Sequence, residues 1–268
     1  MKLIDIHSHL DHSKFSKDLN KVIERARKSG LKVIISSGVN SKTNRVILKI
    51  QEKYPDIVKV SFGIYPIDAL SKEIDSGEAC GFVRDIEKMD VDKELQWIEK
   101  NKDKCVAIGE CGLDYKYSTD EKEHEQQKQI FEKVINLAKK LSKPLIIHSR
   151  KAELEALDLL EKSRYKKVIL HCFNGRKHLI KRAIELGFFF SIPPIITRLE
   201  HFQLLAELVP LQQLLTETDA PYLSSIQGER NEPSNVKVTI KEIAKIKKLT
   251  EEKVEEQIFN NAKLLFNL

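Results

Sequence analysis

Apolar positions along this chain alternate between two periods, and the alternation repeats from one end to the other. Runs rich in Val, Ile, Leu and Phe, as expected of strands covered on both faces, fall at 3–10, 32–38, 57–63, 105–110, 145–148, 168–171, 188–191 and 214–219. Between them the period changes to that of a helix. Leu19, Val22, Ile23 and Ala26 predict a helix over 18–30 with Gly30 as its stop, and Ser41 opens a second that runs to Tyr54. Further helices are predicted over 92–101, 120–141, 151–163, 176–186 and 199–208. Residues 67–91 hold no clean period and read as loop with a short helix. A polar linker at 224–235 precedes terminal helices, where Ile240, Ile243, Ala244, Ile246 and Leu249 repeat at helical spacing.

Eight strand-then-helix units predict an α/β protein, a (β/α)8 TIM barrel in which 1–268 forms a single domain. The competing architecture is a doubly wound open sheet. Its glycine-rich phosphate fingerprint is missing from the first strand-to-helix turn. A barrel gathers functional groups at the carboxyl ends of its strands, and ionisable residues recur at those ends: His7 and His9, then Glu110, His148, His171 and Asp219. On a strand His7 and His9 project to one side and can grip one cation. Several such groups facing one mouth are costly without a cation, so a metal centre accounts for all six together. Four histidines and two carboxylates exceed one tetrahedral site, which points to two divalent ions with Glu110 as the bridge. A nitrogen and oxygen set without thiolate suits Zn2+, Mn2+ or Mg2+. His12, His124, His178 and His201 lie away from strand ends and read as solvated, while Cys111 and Cys172 read as packing residues beside the ligands.

Composition narrows the setting. With 46 Lys+Arg against 40 Asp+Glu the net charge is +6, which favours an anionic ligand without identifying one. The four cysteines show no CxxC spacing, so neither a zinc knuckle nor a disulfide framework is expected. The chain opens directly on a strand-like run and contains no spanning apolar stretch; a cytoplasmic protein without membrane attachment is the expectation. No segment reads as a helix dedicated to an obligate protein partner.

The motifs Asp5-Ile6-His7-Ser8-His9-Leu10-Asp11, Gly109-Glu110-Cys111-Gly112-Leu113-Asp114-Tyr115, His148-Ser149-Arg150, His171-Cys172-Phe173-Asn174-Gly175, Thr216-Glu217-Thr218-Asp219-Ala220-Pro221-Tyr222-Leu223 and Arg230-Asn231-Glu232-Pro233 resemble, in order, those of the TatD family of metal-dependent nucleases. The resemblance covers essentially the whole chain. It implies one metal on His7, His9, Glu110 and Asp219 and a second on Glu110, His148 and His171. It also implies DNA as substrate, hydrolysed from an end by a two-metal-activated water that Asp219 orients or deprotonates. Arg150 and Arg230 are candidates to hold a phosphate, with surface ion pairing as the alternative for each. The family's Gly-x-His-Pro-His segment is replaced by Gly63-Ile64-Tyr65-Pro66-Ile67, and its usual serine in HCFSG by Asn174, so Tyr65 and Asn174 join the expected substrate contacts. RNA or tRNA are alternative substrates, the latter through deacylation of a D-aminoacyl-tRNA or hydrolysis of a similar ester or amide. A non-catalytic nucleic-acid-binding module is disfavoured by the 7% aromatic content and the absence of Arg/aromatic interleaving.

Overall fold

A computed structural model describes residues 2–71 and 88–268. Part of the 67–91 segment therefore lies outside the described residues, as does Cys80; within it a short helix, Pro66–Ala69, follows the third strand. The strands β1 (Leu3–Ser8), β2 (Leu31–Ser37), β3 (Val58–Ile64), β4 (Ala107–Asp114), β5 (Leu145–Arg150), β6 (Val168–His171), β7 (Phe189–Ile192) and β8 (Leu214–Thr216) pair in that order, every neighbour parallel. The gap between β8 and β1 is bridged by Ser8 and Ala220, and the His9 amide donates to the Ala220 carbonyl at 2.8 Å. Eight parallel strands thus form a nearly closed barrel wrapped by helices, the architecture that the eight repeating units predict.

Each helix is placed by a local signal and one apolar face. The first, α1 (Leu19–Lys28), buries Val22, Ile23 and Ala26. The second, α2 (Ser41–Lys53), starts at Asn40 and Thr43, whose side chains cap each other's backbone amides, so the cap lies one residue before the predicted Ser41. After α3 (Pro66–Ala69) and α4 (Val91–Lys100), the long α5 (Glu121–Leu141) is capped by Asp120 and ends at Ser142 in the left-handed region. The ring is completed by α6 (Glu153–Ser163), α7 (Lys177–Glu185), α8 (Glu200–Leu208), α9 (Val236–Lys247) and α10 (Glu251–Phe266). Among the described residues no helix is long and apolar enough to cross a membrane.

Three strand ends differ from the sequence expectation. First, β1 ends at Ser8, leaving His9 just beyond it, and β8 stops at Thr216, leaving Asp219 on a turn with φ of 53°. Second, β4 does not end at Glu110 but runs on to Asp114. The register shifts against β3 between Phe62 and Ile64, and against β5 between Ile108 and Cys111. Such an irregularity re-aims a mid-strand side chain. Space above Glu110 is also set by a glycine. A Cβ on Gly63 would stand 2.1 Å from the Gly38 carbonyl oxygen and 2.4 Å from the Glu110 nitrogen, so only glycine lets β3 approach here. Asn44 holds that approach by hydrogen bonds to both the amide and the carbonyl of Gly63, each 2.9 Å.

Candidate metal centre

All six residues expected as ligands converge at the carboxyl end of the barrel. The Nε2 atoms of His7 and His9 lie 3.2 Å apart. From Glu110 Oε2 they are 3.5 and 3.6 Å distant, and from Asp219 Oδ1 3.5 and 3.2 Å. Ligands bound about 2.0–2.2 Å from a tetrahedral ion stand roughly 3.3–3.6 Å apart, so three of these separations match the edges of such a site and the two at 3.2 Å fall just short of them. Glu110 Oε2 and Asp219 Oδ1 are also buried with no hydrogen-bond partner among the described residues. A buried anionic oxygen without a donor is costly, and a cation between these four groups removes the cost.

On the other oxygen of Glu110, His148 Nδ1 lies at 2.9 Å and His171 Nε2 at 3.9 Å. A separation of 2.9 Å is a hydrogen bond, and also close to the spacing of adjacent ligands about a six-coordinate ion with bonds of about 2.1 Å. The residues present thus fit divalent cations on both sides of Glu110.

The outward nitrogens support the same reading. A metal-ligating imidazole nearly always donates its other N–H to an oxygen that fixes the ring. Here His7 Nδ1 meets Ser37 Oγ at 3.0 Å, and His9 Nδ1 the Ser37 carbonyl at 3.2 Å. His148 Nε2 meets Asp114 Oδ2 at 3.0 Å and His171 Nδ1 meets Glu217 Oε2 at 2.6 Å. Asp114 is steadied by the Tyr65 hydroxyl, which donates at 2.8 Å, and Glu217 by Ser191 and the Cys172 amide. Asp5 ties the structure beneath, accepting from the amides of His7 and Thr218.

The same contacts set the charges. Burial pushes the Glu110 carboxyl up, but His148 and His7 outweigh it and hold it well below the usual carboxylate range. Asp219 is likewise kept low against burial by His7 and His9. Burial disfavours a charged His148, yet Asp114 and Glu110 raise it to about 9. Both carboxylates at the centre are thus pushed toward the ionised form that ligands need, while His148 would have to give up its proton to a bound cation.

Sequence reasoning missed Ser37, Asp114 and Glu217 as partners. Asp114 and Glu217 do fall within the quoted motifs, each a few residues from an expected ligand, but no strand periodicity singles them out. Sequence reasoning also placed some residues differently from the structure. Arg150 and Asn174 line a cavity of about 500 Å3 whose floor includes Glu110, His148, His171 and Asp219. Tyr65 is buried against Asp114 and His148 and Arg230 is turned elsewhere, so neither is among the lining residues. Arg230 donates to both carboxylate oxygens of Asp18 and to Glu232, the ion-pair alternative. Cys111 is fully buried in the barrel wall, whereas Cys172 lines the cavity; burial and the nearby carboxylates raise its pKa well above the usual value, leaving a thiol and not a nucleophile. Of the histidines read as solvated, His178 alone is exposed; His12, His124 and His201 are half-buried and hydrogen-bonded.

Barrel and centre together define a metal-dependent hydrolase of the kind that acts at the carboxyl ends of barrel strands. Residues 4–267 match the family model described as TatD related DNase, and the chain belongs to that family. It is 34% identical over 266 residues to the human protein named deoxyribonuclease TATDN3, covering 98% of this chain and 94% of that one. An uncharacterised metal-dependent hydrolase of Methanocaldococcus jannaschii is 33% identical, with 97% of this chain and 95% of its own covered. A protein of Erwinia tasmaniensis named 3'-5' ssDNA/RNA exonuclease TatD is 30% identical, with coverage of 99% and 100%. Among solved structures, a TatD homologue from Escherichia coli, YJJV, superposes with a TM-score of 0.82 at 24% identity, covering 99% of this chain and 98% of that one, which shows the shared fold.

Proposed function

We propose that this deoxyribonuclease hydrolyses phosphodiester bonds at the end of a DNA strand with two divalent cations, one on His7, His9, Glu110 and Asp219 and one on Glu110, His148 and His171. The observation that carries the reading is the double orientation of all four imidazoles, one nitrogen tied outward to oxygen and the other aimed at Glu110 or Asp219. When bound, the cations supply Lewis acidity, lowering the pKa of water and offsetting charge on the phosphoryl oxygens. The protein does the rest by position. Asp219, buried at the edge of the cavity beside His7 and His9, accepts a hydrogen bond from the attacking water and so orients it. Arg150 spends one donor on the Tyr117 hydroxyl at 3.2 Å and has no carboxylate partner among the described residues, leaving a planar fork for a phosphoryl oxygen. Asn174 is fixed by the Cys172 carbonyl at 2.9 Å on the same wall. Because Glu110 is only 2% exposed at the floor of the cavity, a bond within a duplex is held away, and a strand end reaches it. The name carried by the Erwinia relative supports an exonuclease.

The test sets single-stranded DNA, RNA and D-aminoacyl-tRNA side by side, with and without EDTA. End-directed release of nucleotides from DNA, abolished by EDTA and restored by added Zn2+, Mn2+ or Mg2+, is expected. Undiminished DNA cleavage after metal removal, or preferred turnover of the acyl ester, overturns the reading.

A further inference from the structure

Most arginines with a role elsewhere in this protein are already neutralised: Arg25, Arg27, Arg45, Arg182 and Arg230 each face a carboxylate. Arg198 does not. It follows β7 and the turn Pro194–Thr197, is exposed, and among the described residues its side chain's only polar contacts are two long ones of 3.4 Å to the Ser224 carbonyl. That carbonyl belongs to the loop after β8, so Arg198 spans the loops following strands seven and eight, where barrels of this type commonly build a phosphate site. Lys14, on the loop after β1, is a second exposed cation on the same cavity and also has no carboxylate partner among the described residues; its ammonium lies 5.9 Å from the Tyr222 ring centre. Arg150, assigned above to the phosphate being hydrolysed, comes from β5, half a barrel away from β1. Between these cations the lining turns apolar at Pro221, Leu223 and Ile226, and Ile226, 56% exposed, offers its side chain to whatever enters the cavity.

We propose that Arg198 and Lys14 bind a second phosphate, that of the neighbouring nucleotide in a polynucleotide strand, while Leu223 and Ile226 cover its base. This rests on the polynucleotide reading of the site and deepens it: the enzyme recognises a strand with at least two phosphates, not an isolated diester. Charge and apolar surface are arranged as single-strand binding requires, a cationic track for the backbone beside a face for a base. Glu229 also borders the cavity, as an exposed carboxylate that opposes a phosphate and is screened by water.

Two readouts separate this subsite from the chemistry. Binding of a fluorescent oligothymidylate is measured by anisotropy in EDTA across a salt series, and hydrolysis of bis(p-nitrophenyl) phosphate, which has a single phosphate, is measured with metal present. Arg198→Ala is expected to weaken oligonucleotide binding about tenfold and to flatten the log K against log salt slope by about 0.7, the loss of one phosphate contact on a single strand. Its rate on the small diester stays at the wild-type value, and Arg198→Lys recovers part of the binding. Ile226→Ala weakens binding without changing the salt slope. If wild-type protein binds the oligonucleotide through Arg198 yet does not cleave it, the nuclease reading falls and the subsite stands. Unchanged binding in Arg198→Ala with DNA cleavage intact overturns the subsite and leaves the nuclease reading. Equal loss on both substrates also overturns it, because Arg198 then acts on the fold or on the reacting phosphate.

Discussion

The two sides of Glu110 are built from the same residue types but backed differently. His7 and His9 lean outward on the hydroxyl and carbonyl of a single serine, Ser37, both neutral acceptors. His148 and His171 lean on the carboxylates of Asp114 and Glu217. A carboxylate behind an imidazole fixes its tautomer more firmly and raises its basicity, so the β5–β6 side offers stronger donors to a cation. The β1 side compensates by charge, with Asp219 adding a second carboxylate directly to the ligand cluster. On the two-cation proposal, one bridging residue would serve two unlike sites, one made anionic by its ligands and the other by what stands behind them.

The largest effect that bears on this comparison is removal of what the sides share. Glu110→Gln keeps the size of the side chain and discards its charge; it is expected to fold, to hold less metal per chain by elemental analysis, and to lose at least ~10²-fold in nuclease rate. Wild-type metal content and rate in this variant would leave no bridge to argue from. Next comes Asp114→Asn, which weakens the backing of His148 alone. Metal affinity of the β5–β6 side should fall about 10–100-fold, read by titration after dialysis, with the other side retained. Ser37→Ala, the matching change behind His7, removes one neutral hydrogen bond and leaves the carbonyl that holds His9; a loss of only roughly 2–10-fold is expected. Equal losses in the two variants would erase the distinction.

Smallest is the effect of Arg230→Ala, a control on a network that touches neither side. Nuclease rate should be near wild type, and stability at pH 7 should drop by roughly 0.5–1 kcal/mol in urea melts. The pH dependence follows from Asp18, which the Arg230 guanidinium holds down at about 2 from its ordinary 3.8, against the opposing effect of burial. A depressed carboxyl pKa stabilises above the unfolded value and ceases to do so as pH falls through the folded one. The difference between wild type and Arg230→Ala should therefore be full above about pH 4 and shrink toward pH 2.

Much of this was legible in the sequence for physical reasons. β-Branched runs alternating with helical spacing revealed eight units, because strands buried on both faces need continuous apolar side chains. The six converging residues were legible because a polar group ending such a run must be paired or used. The bulge at Glu110 was not legible, because a register shift comes from how β4 sits between β3 and β5. Ending the strand at Glu110 left Asp114 outside it. Arg230 misled for another reason, since a guanidinium near a motif gives no sign of which carboxylate the fold will bring to it; Asp18 lies 212 residues away in the chain.

The link between Ser8 and Ala220 has a mechanical meaning. The first and last strands meet through His9 and Ala220, through Asp219 and the His7 carbonyl, and through the Thr216 hydroxyl on the Ile4 carbonyl. The zip that fastens the two ends of the sheet is thus made of the very segments that carry His7, His9 and Asp219. Any unfastening there pulls Asp219 away from both histidines, so the proposed metal centre would act as its own strain gauge: activity would vanish at the first parted tooth, while the remaining seven strand pairings still hold.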